Sequence, residues 1–213
     1  MGLAKGNCYY GWQTLQPFYI WIKNKLIMLE LSFSPFPQLF SERLLLRAIT
    51  QNDAEQVYRL RSNDTSMQFL DKAPFQSVAE AVLLIKKIED DINNNVGITW
   101  AVCLKENPEV LMGTIGLWRF MKEHYRAEIG YMLLPEYCRK GYMKEAITQV
   151  IHFSFNKLNV HSIEANINPQ NLASATLLQS VGFIKEAYFK ENYYYKGRFL
   201  DSAIYSLVNS ANK

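Results

Sequence analysis

The chain has 213 residues, of which 49% are hydrophobic and 20% charged, with a formal net charge of +3. That balance excludes a disordered chain and suits one ordinary globular domain with a real core and an extension. The small positive excess, with no Lys/Arg block, leaves no case for direct nucleic-acid binding.

The first 27 residues carry Trp12, Phe18, Tyr19, Ile20, Trp21 and Ile22, but polar residues interrupt them. The run is too short to cross a bilayer and no small-residue cleavage site follows it. No membrane association is expected. Residues 1–27 read as an extension that need not be native, 28–41 as a lead-in opened by Met28, and 42–213 as the working domain. Cys8, Cys103 and Cys138 make an odd set without CxxC spacing, and His124, His152 and His161 lack HxxxH spacing. Neither a disulfide framework nor a metal site is expected, which suits a reducing cytoplasm.

In chain order, Glu42–Arg47 reads as a strand. Thr50 to Asp53 resembles a helix N-cap with an acidic third position, and Ala54, Val57, Tyr58 and Arg61 follow at helical spacing. A second helix starts at Ser77–Glu80, which has the form of a capping box. Its expected apolar face is Val78, Ala81, Val82, Ile85, Ile88 and Ile92. Three strands follow, over Ile98–Leu104, Val110–Phe120 and Ala127–Leu134, the last stopped by Pro135. A helix is expected over Met143–Leu158, a strand over Val160–Ile167, and a short helix over Asn171–Ser180, capped by Asn171 and stopped by Gly182. Two aromatic-rich strands, about Ile184–Tyr195 and Phe199–Leu207, turn at Lys196–Gly197. The order βααβββαβαββ predicts an α/β (α+β) domain: a mixed, mostly antiparallel sheet flanked by helices.

The segment Glu128 to Ala146 is a strand, a short basic turn with glycine, and a helix. The first turn of a helix leaves backbone N–H groups without partners and carries partial positive charge. Gly141 permits close backbone approach, and Arg139 and Lys140 add full charge. A pyrophosphate suits such a place. A plain strand-to-helix connection has the same form, so the segment alone does not decide. It is neither a Walker P-loop nor a GxGxxG fingerprint.

Several segments in order resemble the GNAT acetyltransferase superfamily, in its Rim-type branch of ribosomal-protein N-terminal acetyltransferases. They are Glu42–Arg47, Glu128–Tyr131, the loop through Gly141, and Asn168 to Ser174 ending in Val181–Gly182–Phe183. Together they span about Glu42 to Leu207. The loop departs from the family pattern Q/R-x-x-G-x-G/A at Cys138 and Met143.

The resemblance implies a sheet splayed at an acetyl-CoA site and no metal. Backbone groups of Tyr131, Met132, Leu133 and Leu134 would pair with the pantetheine arm. Amides of Arg139, Lys140, Gly141, Tyr142 and Met143 would hold the pyrophosphate. Asn171 would reach the pantetheine, or serve only as a helix cap. Transfer to an amine needs a neutral amine, a polarised thioester carbonyl and a proton for the departing thiolate. Glu128 is the first candidate base and Glu191 the second. The tyrosine that many family members carry as general acid is matched here by Leu178, so Ser174 becomes the candidate. The expected partners are acetyl-CoA and an amine acceptor, foremost a ribosomal-protein N-terminus, with the chain a monomer or homodimer. Alternatives are a small-molecule amine acetyltransferase and a catalytically silent acyl-CoA-binding protein.

Overall fold

Alternation of side chains across a single sheet builds two cores. Along the strand Ile98–Leu104, Trp100 and Val102 enter one hydrophobic cluster, while Ala101 and Cys103 enter the other. This follows from the two-residue period of a strand, and both faces are apolar because both are covered by helices. The computed structural model describes residues 28–210, so the 1–27 extension lies outside the described residues.

The eight strands are β1 (Leu39–Phe40), β2 (Leu44–Ala48), β3 (Ile98–Leu104), β4 (Gly113–Met121), β5 (Arg126–Leu133), β6 (Ser162–Ile167), β7 (Ile184–Tyr195) and β8 (Arg198–Val208). The helices are α1 (Ala54–Ser62), α2 (Asp64–Met67), α3 (Val78–Asn93), α4 (Tyr142–Asn156) and α5 (Leu172–Ser180). The sheet order is β1-β2-β3-β4-β5-β6-β8-β7. Every neighbouring pair is antiparallel except β5 and β6, which run parallel. The expected mixed, mostly antiparallel sheet flanked by helices is therefore the observed architecture.

One core packs Met143, Ala146, Ile147 and Val150 of α4 against Leu46, Trp100, Ile115 and Ile129. The other packs Val57 and Leu60 of α1 and Ala81 and Ile85 of α3 against Ala101, Cys103 and Met132. The lead-in belongs to the α4-side core: Leu29 and Phe33 are buried there. The Leu29 N–H donates to the Lys122 carbonyl at 3.0 Å, and Trp100 Nε1 donates to the Pro37 carbonyl at 2.7 Å.

Local expectations and structure differ in four places. The Thr50–Asp53 box forms, but through a 3-10 turn (Gln51–Asp53) that precedes α1. At α3 the Ser77 side chain makes no cap bond, and the Glu80 carboxylate instead accepts from the Gln76 N–H at 3.1 Å. Val82, expected in the core, is 40% exposed, because the buried stripe of α3 is narrowed to Ala81 and Ile85. Strand β1 and helix α2 were not expected. Two and four residues are too short to show a hydrophobic period.

Candidate functional site

The site begins where the sheet comes apart. Strand β5 pairs with β6 only at Arg126–Ser162, Ala127–Ile163 and Glu128–Glu164. Beyond Glu128, β5 stays bound to β4 as far as Leu133, whereas β6 stays bound to β8 as far as Ile167. The two strands diverge, and the β6-facing edge of Ile129–Leu133 lacks a strand partner among the described residues. Backbone groups on such an edge are available to an extended ligand.

The open edge leads into the basic turn. A 3-10 turn (Pro135–Tyr137) is followed by Cys138–Gly141 and the start of α4. Arg139 has φ 61° and Gly141 has φ 82°. The left-handed region costs a side-chain-bearing residue energy and a glycine almost nothing, which explains Gly141 at this cap. The first intrahelical bond of α4 runs from the Glu145 N–H to the Gly141 carbonyl at 3.1 Å. The amides of Tyr142, Met143 and Lys144 precede it, so the turn offers helix-start donors beside the split. A cleft of about 350 Å³ lies at this end, lined by Thr65, Ser66, Leu133, Pro135, Cys138 and Arg139. Unpaired strand edge, helix-start amides, cation and side-chain-free Gly141 fit an extended, phosphate-bearing thioester such as an acyl-CoA.

A network from β2 steadies the turn. The Arg43 guanidinium donates from Nε to Glu145 Oε2 at 2.8 Å and from Nη1 to the Lys140 carbonyl at 3.1 Å. It also stands 4.6 Å from the centre of the Tyr142 ring. Glu145 further accepts from Ser41 Oγ at 2.6 Å and the Arg43 N–H at 2.8 Å. Burial would raise the Glu145 pKa, but the bonds from Ser41 and Arg43 outweigh it and hold the carboxylate below its usual range. The role of Arg43 was not legible in the sequence, since Glu145 lies 102 positions away.

Glu128 sits at the vertex of the split, the last β5 residue paired with β6. Its Oε2 accepts from Arg119 Nη1 at 2.8 Å. Arg119 lies at the β4 irregularity between Trp118 and Met121, with φ 47°. Beside Glu128, the Trp118 ring covers Gly130 so closely that an added Cβ would stand 2.2 Å from the ring.

On the opposite face, the Tyr131 hydroxyl and Ser174 Oγ are 2.7 Å apart. Burial pushes the Tyr131 phenol up to about 12, against the smaller opposing effect of the Ser174 bond. Tyr131 therefore stays protonated at working pH. Asn171 caps α5 by accepting from the Ser174 N–H at 3.0 Å. The structure thus joins three sequence-named residues, Tyr131, Asn171 and Ser174, in one cluster. The Tyr131 side chain, expected to contribute only its backbone, is the group that sequence reasoning missed. Leu178 is fully buried in the α4-side core.

Glu191 is placed differently. It lies on β7, the outermost strand, three positions along the sheet from β5. It is exposed, with φ 51°, and its N–H donates to Asp201 Oδ1 at 2.7 Å. The structure does not bring it together with Glu128. On the same strand, the Tyr193 hydroxyl reaches across to donate to Asp71, in the α2–α3 loop. Among the described residues no His/Cys/Asp/Glu group could hold a metal ion, and no helix is long and apolar enough to cross a membrane.

Comparison with known proteins agrees with this geometry. Residues 43–184 match the acetyltransferase (GNAT) domain model. The chain is 35% identical over 173 residues to the uncharacterized N-acetyltransferase YoaA of Bacillus subtilis, covering 81% of this chain and 97% of that protein. It is 34% identical over 80 residues to the [ribosomal protein uS5]-alanine N-acetyltransferase of Escherichia coli, covering 38% of this chain and 41% of that enzyme. The structure of spermidine N-acetyltransferase from Vibrio cholerae in complex with CoA and spermine superposes with a TM-score of 0.69 at 25% identity, covering 78% of this chain and 96% of that one. A split sheet beside a glycine turn, matched along two thirds of the chain by one family model, places the protein: it belongs to the GNAT family and is an N-acetyltransferase.

Proposed function

We propose that this protein moves the acetyl group of acetyl-CoA to the α-amine of a protein or peptide N-terminus, of the ribosomal-protein type. The observation that carries the transfer is the divergence of β5 and β6 immediately after Glu128, which sets a carboxylate at the mouth of the split. The N-terminal acceptor is supported by the Rim-like motifs and by the similarity to the uS5-alanine enzyme. The similarity to the spermidine enzyme favours a small amine as the second reading.

In this reading the β5 edge at Tyr131–Leu134 and the turn amides from Arg139 to Met143 align the donor thioester. Holding the two reactants together supplies much of the rate. Glu128 takes a proton from the acceptor ammonium, directly or through water. The amine nitrogen bonds to the thioester carbonyl carbon, the C–S bond breaks, and the sulfur keeps the electron pair. The hydroxyl of Ser174, joined to that of Tyr131, donates a proton to the sulfur so that CoA leaves as the thiol, and the surplus proton on the newly acylated nitrogen passes through water to restore the hydroxyl pair. Asn171 keeps Ser174 in place by capping its helix.

Two measurements test this. Excess acetyl-CoA should raise the melting temperature, because it binds only the folded state. CoA release should then be faster with N-terminal peptides than with spermidine, spermine or aminoglycosides. An unchanged melting temperature would remove the donor assignment, and a higher kcat/KM for a polyamine would remove the peptide assignment. Tyr131→Phe and Ser174→Ala should each lower kcat, with the double variant no slower than the worse single, since the hydroxyls act as a unit. Independent, multiplying losses would separate them.

A further inference from the structure

Beside Glu128, on the same face of the sheet, stands an aromatic ring that the transfer chemistry leaves without a role. Trp118 of β4 is the register partner of Glu128 of β5. Directly opposite residues of an antiparallel pair point to one face, with Cβ atoms roughly 5 Å apart. That face looks toward α1 and α3. Met132, which shares it by the two-residue period of β5, is buried in the α1/α3-side core, while Ala127 and Ile129 enter the α4-side core.

The indole of Trp118 leans over the open edge. A Cβ added to Gly130 would stand 2.2 Å from Trp118 Cη2 and 2.5 Å from its Cζ2, so the ring occupies the space that any other residue at 130 would claim. Gly130 lies within the Ile129–Leu133 segment that has no β6 partner, and its own register partner is Gly116. The ring therefore borders the split just past its vertex, over a floor free of side chains. It is half-buried. The Trp100 indole N–H is engaged by the Pro37 carbonyl, whereas Trp118 makes no hydrogen bond among the described residues. Glu128 receives Arg119 at Oε2. A carboxylate next to a partly open indole, at the lip of a cleft, suits an alkylammonium: the acid answers its charge, the π face attracts the same charge, and the ring packs against the carbon that bears the nitrogen.

We infer that Trp118 is a binding residue for the acceptor, its indole holding the primary ammonium against Glu128, and that Gly130 is the residue that seats the ring. The inference rests on the reading of the split as the transfer site and adds to it the group that presents the amine. Once Glu128 takes the proton, the cation–π attraction ends and the neutral nitrogen is released toward the thioester carbonyl. The amine then arrives on the α1/α3 face, opposite the Tyr131–Ser174 hydroxyls.

The test is calorimetric titration of the full chain, loaded with CoA, with two ligands that differ in one group: Ala-Ala-Ala, and lactoyl-Ala-Ala, in which a hydroxyl replaces the α-amine. Wild-type protein should bind the amine more tightly. Trp118→Leu should weaken the amine by about 5-fold or more, leave the hydroxyl analogue within about 2-fold, and leave the KM for acetyl-CoA near wild type, with Trp118→Phe falling between. Gly130→Ala, which displaces the ring, should weaken the amine in the wild-type background and add nothing to Trp118→Leu. Thermal melts confirm that each variant is folded, and Trp118→Phe carries the test if the leucine variant is not. Equal loss of both ligands would make Trp118 an apolar wall only, and unchanged amine binding would remove it from the site; either overturns the inference while the acetyl-CoA thermal shift of the wild type still reports on the split. If spermidine is acetylated and no peptide is, the peptide reading falls and the titration is read on spermidine: loss of affinity in Trp118→Leu upholds the ammonium site, and no loss overturns it.

Discussion

Glu128→Gln separates basicity from shape, because the amide keeps the size and can still meet Arg119. A peptide α-amine has a pKa of about 8, so roughly a tenth of it is neutral at pH 7 without help. The variant should lose on the order of 10²-fold in kcat at neutral pH while its KM for acetyl-CoA stays near wild type. Raising the pH should recover part of the rate, since a larger share of amine arrives deprotonated. A pH–rate profile of the variant checks this. Retention of full kcat would leave Glu128 as the partner of Arg119 alone and move the test to Glu191. Glu128 was legible as a candidate because it lies in the strand before a recognisable turn. Its place at the last paired register was not, since pairing depends on where β6 departs 36 positions later.

Between residue and sheet stand the turns and caps. Arg47 meets Asp53 through two bonds, 2.8 and 2.7 Å, and Asp53 also accepts the Thr50 N–H at 2.7 Å. Burial would raise the Asp53 pKa, but Arg47 and Thr50 outweigh it and hold the carboxylate below its usual range. A folded-state pKa below the unfolded one means the unfolded chain binds the proton more readily. The stabilisation is therefore complete above the unfolded value, about 4, and is lost as pH falls through the folded value. Asp53→Asn should cost about 3 kcal/mol at pH 7 by leaving Arg47 unpaired, and should flatten the fall in stability on acidification. Urea midpoints between pH 7 and 3 measure both effects, and parallel curves for variant and wild type would contradict this.

The turn before α4 gives a second prediction at this scale. Gly141→Val places a β-branched residue at φ 82°, with its Cβ 3.3 Å from Arg43 Nη2. The conformation costs on the order of 1–2 kcal/mol, so the protein should still fold. The KM for acetyl-CoA should rise more steeply, by roughly 10-fold or more, as the turn loses its phosphate approach. A folded variant with normal acetyl-CoA KM would detach the turn from pyrophosphate binding. The glycine and the flanking cations were plain in the sequence. The buttress from Arg43 and the Ser66–Leu133 side of the cleft were not, because each joins segments more than 60 positions apart.

At the scale of the molecule, the lead-in is part of the fold. A chain beginning at Met28 should keep its melting temperature and kcat/KM, as expected if residues 1–27 are an extension. A chain beginning at Glu42 loses the buried Leu29 and Phe33, strand β1, and the Pro37 carbonyl that receives the Trp100 indole N–H at 2.7 Å. Truncating one buried Phe alone costs about 3–5 kcal/mol, so this shorter chain should melt many degrees lower or fail to fold. Thermal melts of the two truncations decide it. Equal loss from both would place residues 1–27 in the stability of the domain.

The sequence by itself determined the strands and the long helices, because period 2 and period 3.6 are local properties of the chain. It also determined the glycine turn and the Asn171 cap, whose donors and acceptors lie within a few residues. The short elements β1 and α2 escaped, since two to four residues carry no period, and so did the exposure of Val82, since a neighbour's packing sets the width of a buried stripe. Only the tertiary structure decided which groups share the split. The Tyr131–Ser174 pair, the grip of Arg119 on Glu128 and the reach of Tyr193 to Asp71 all depend on where separate strands and loops cross in space, and no local pattern encodes a distance between segments that are far apart in the chain.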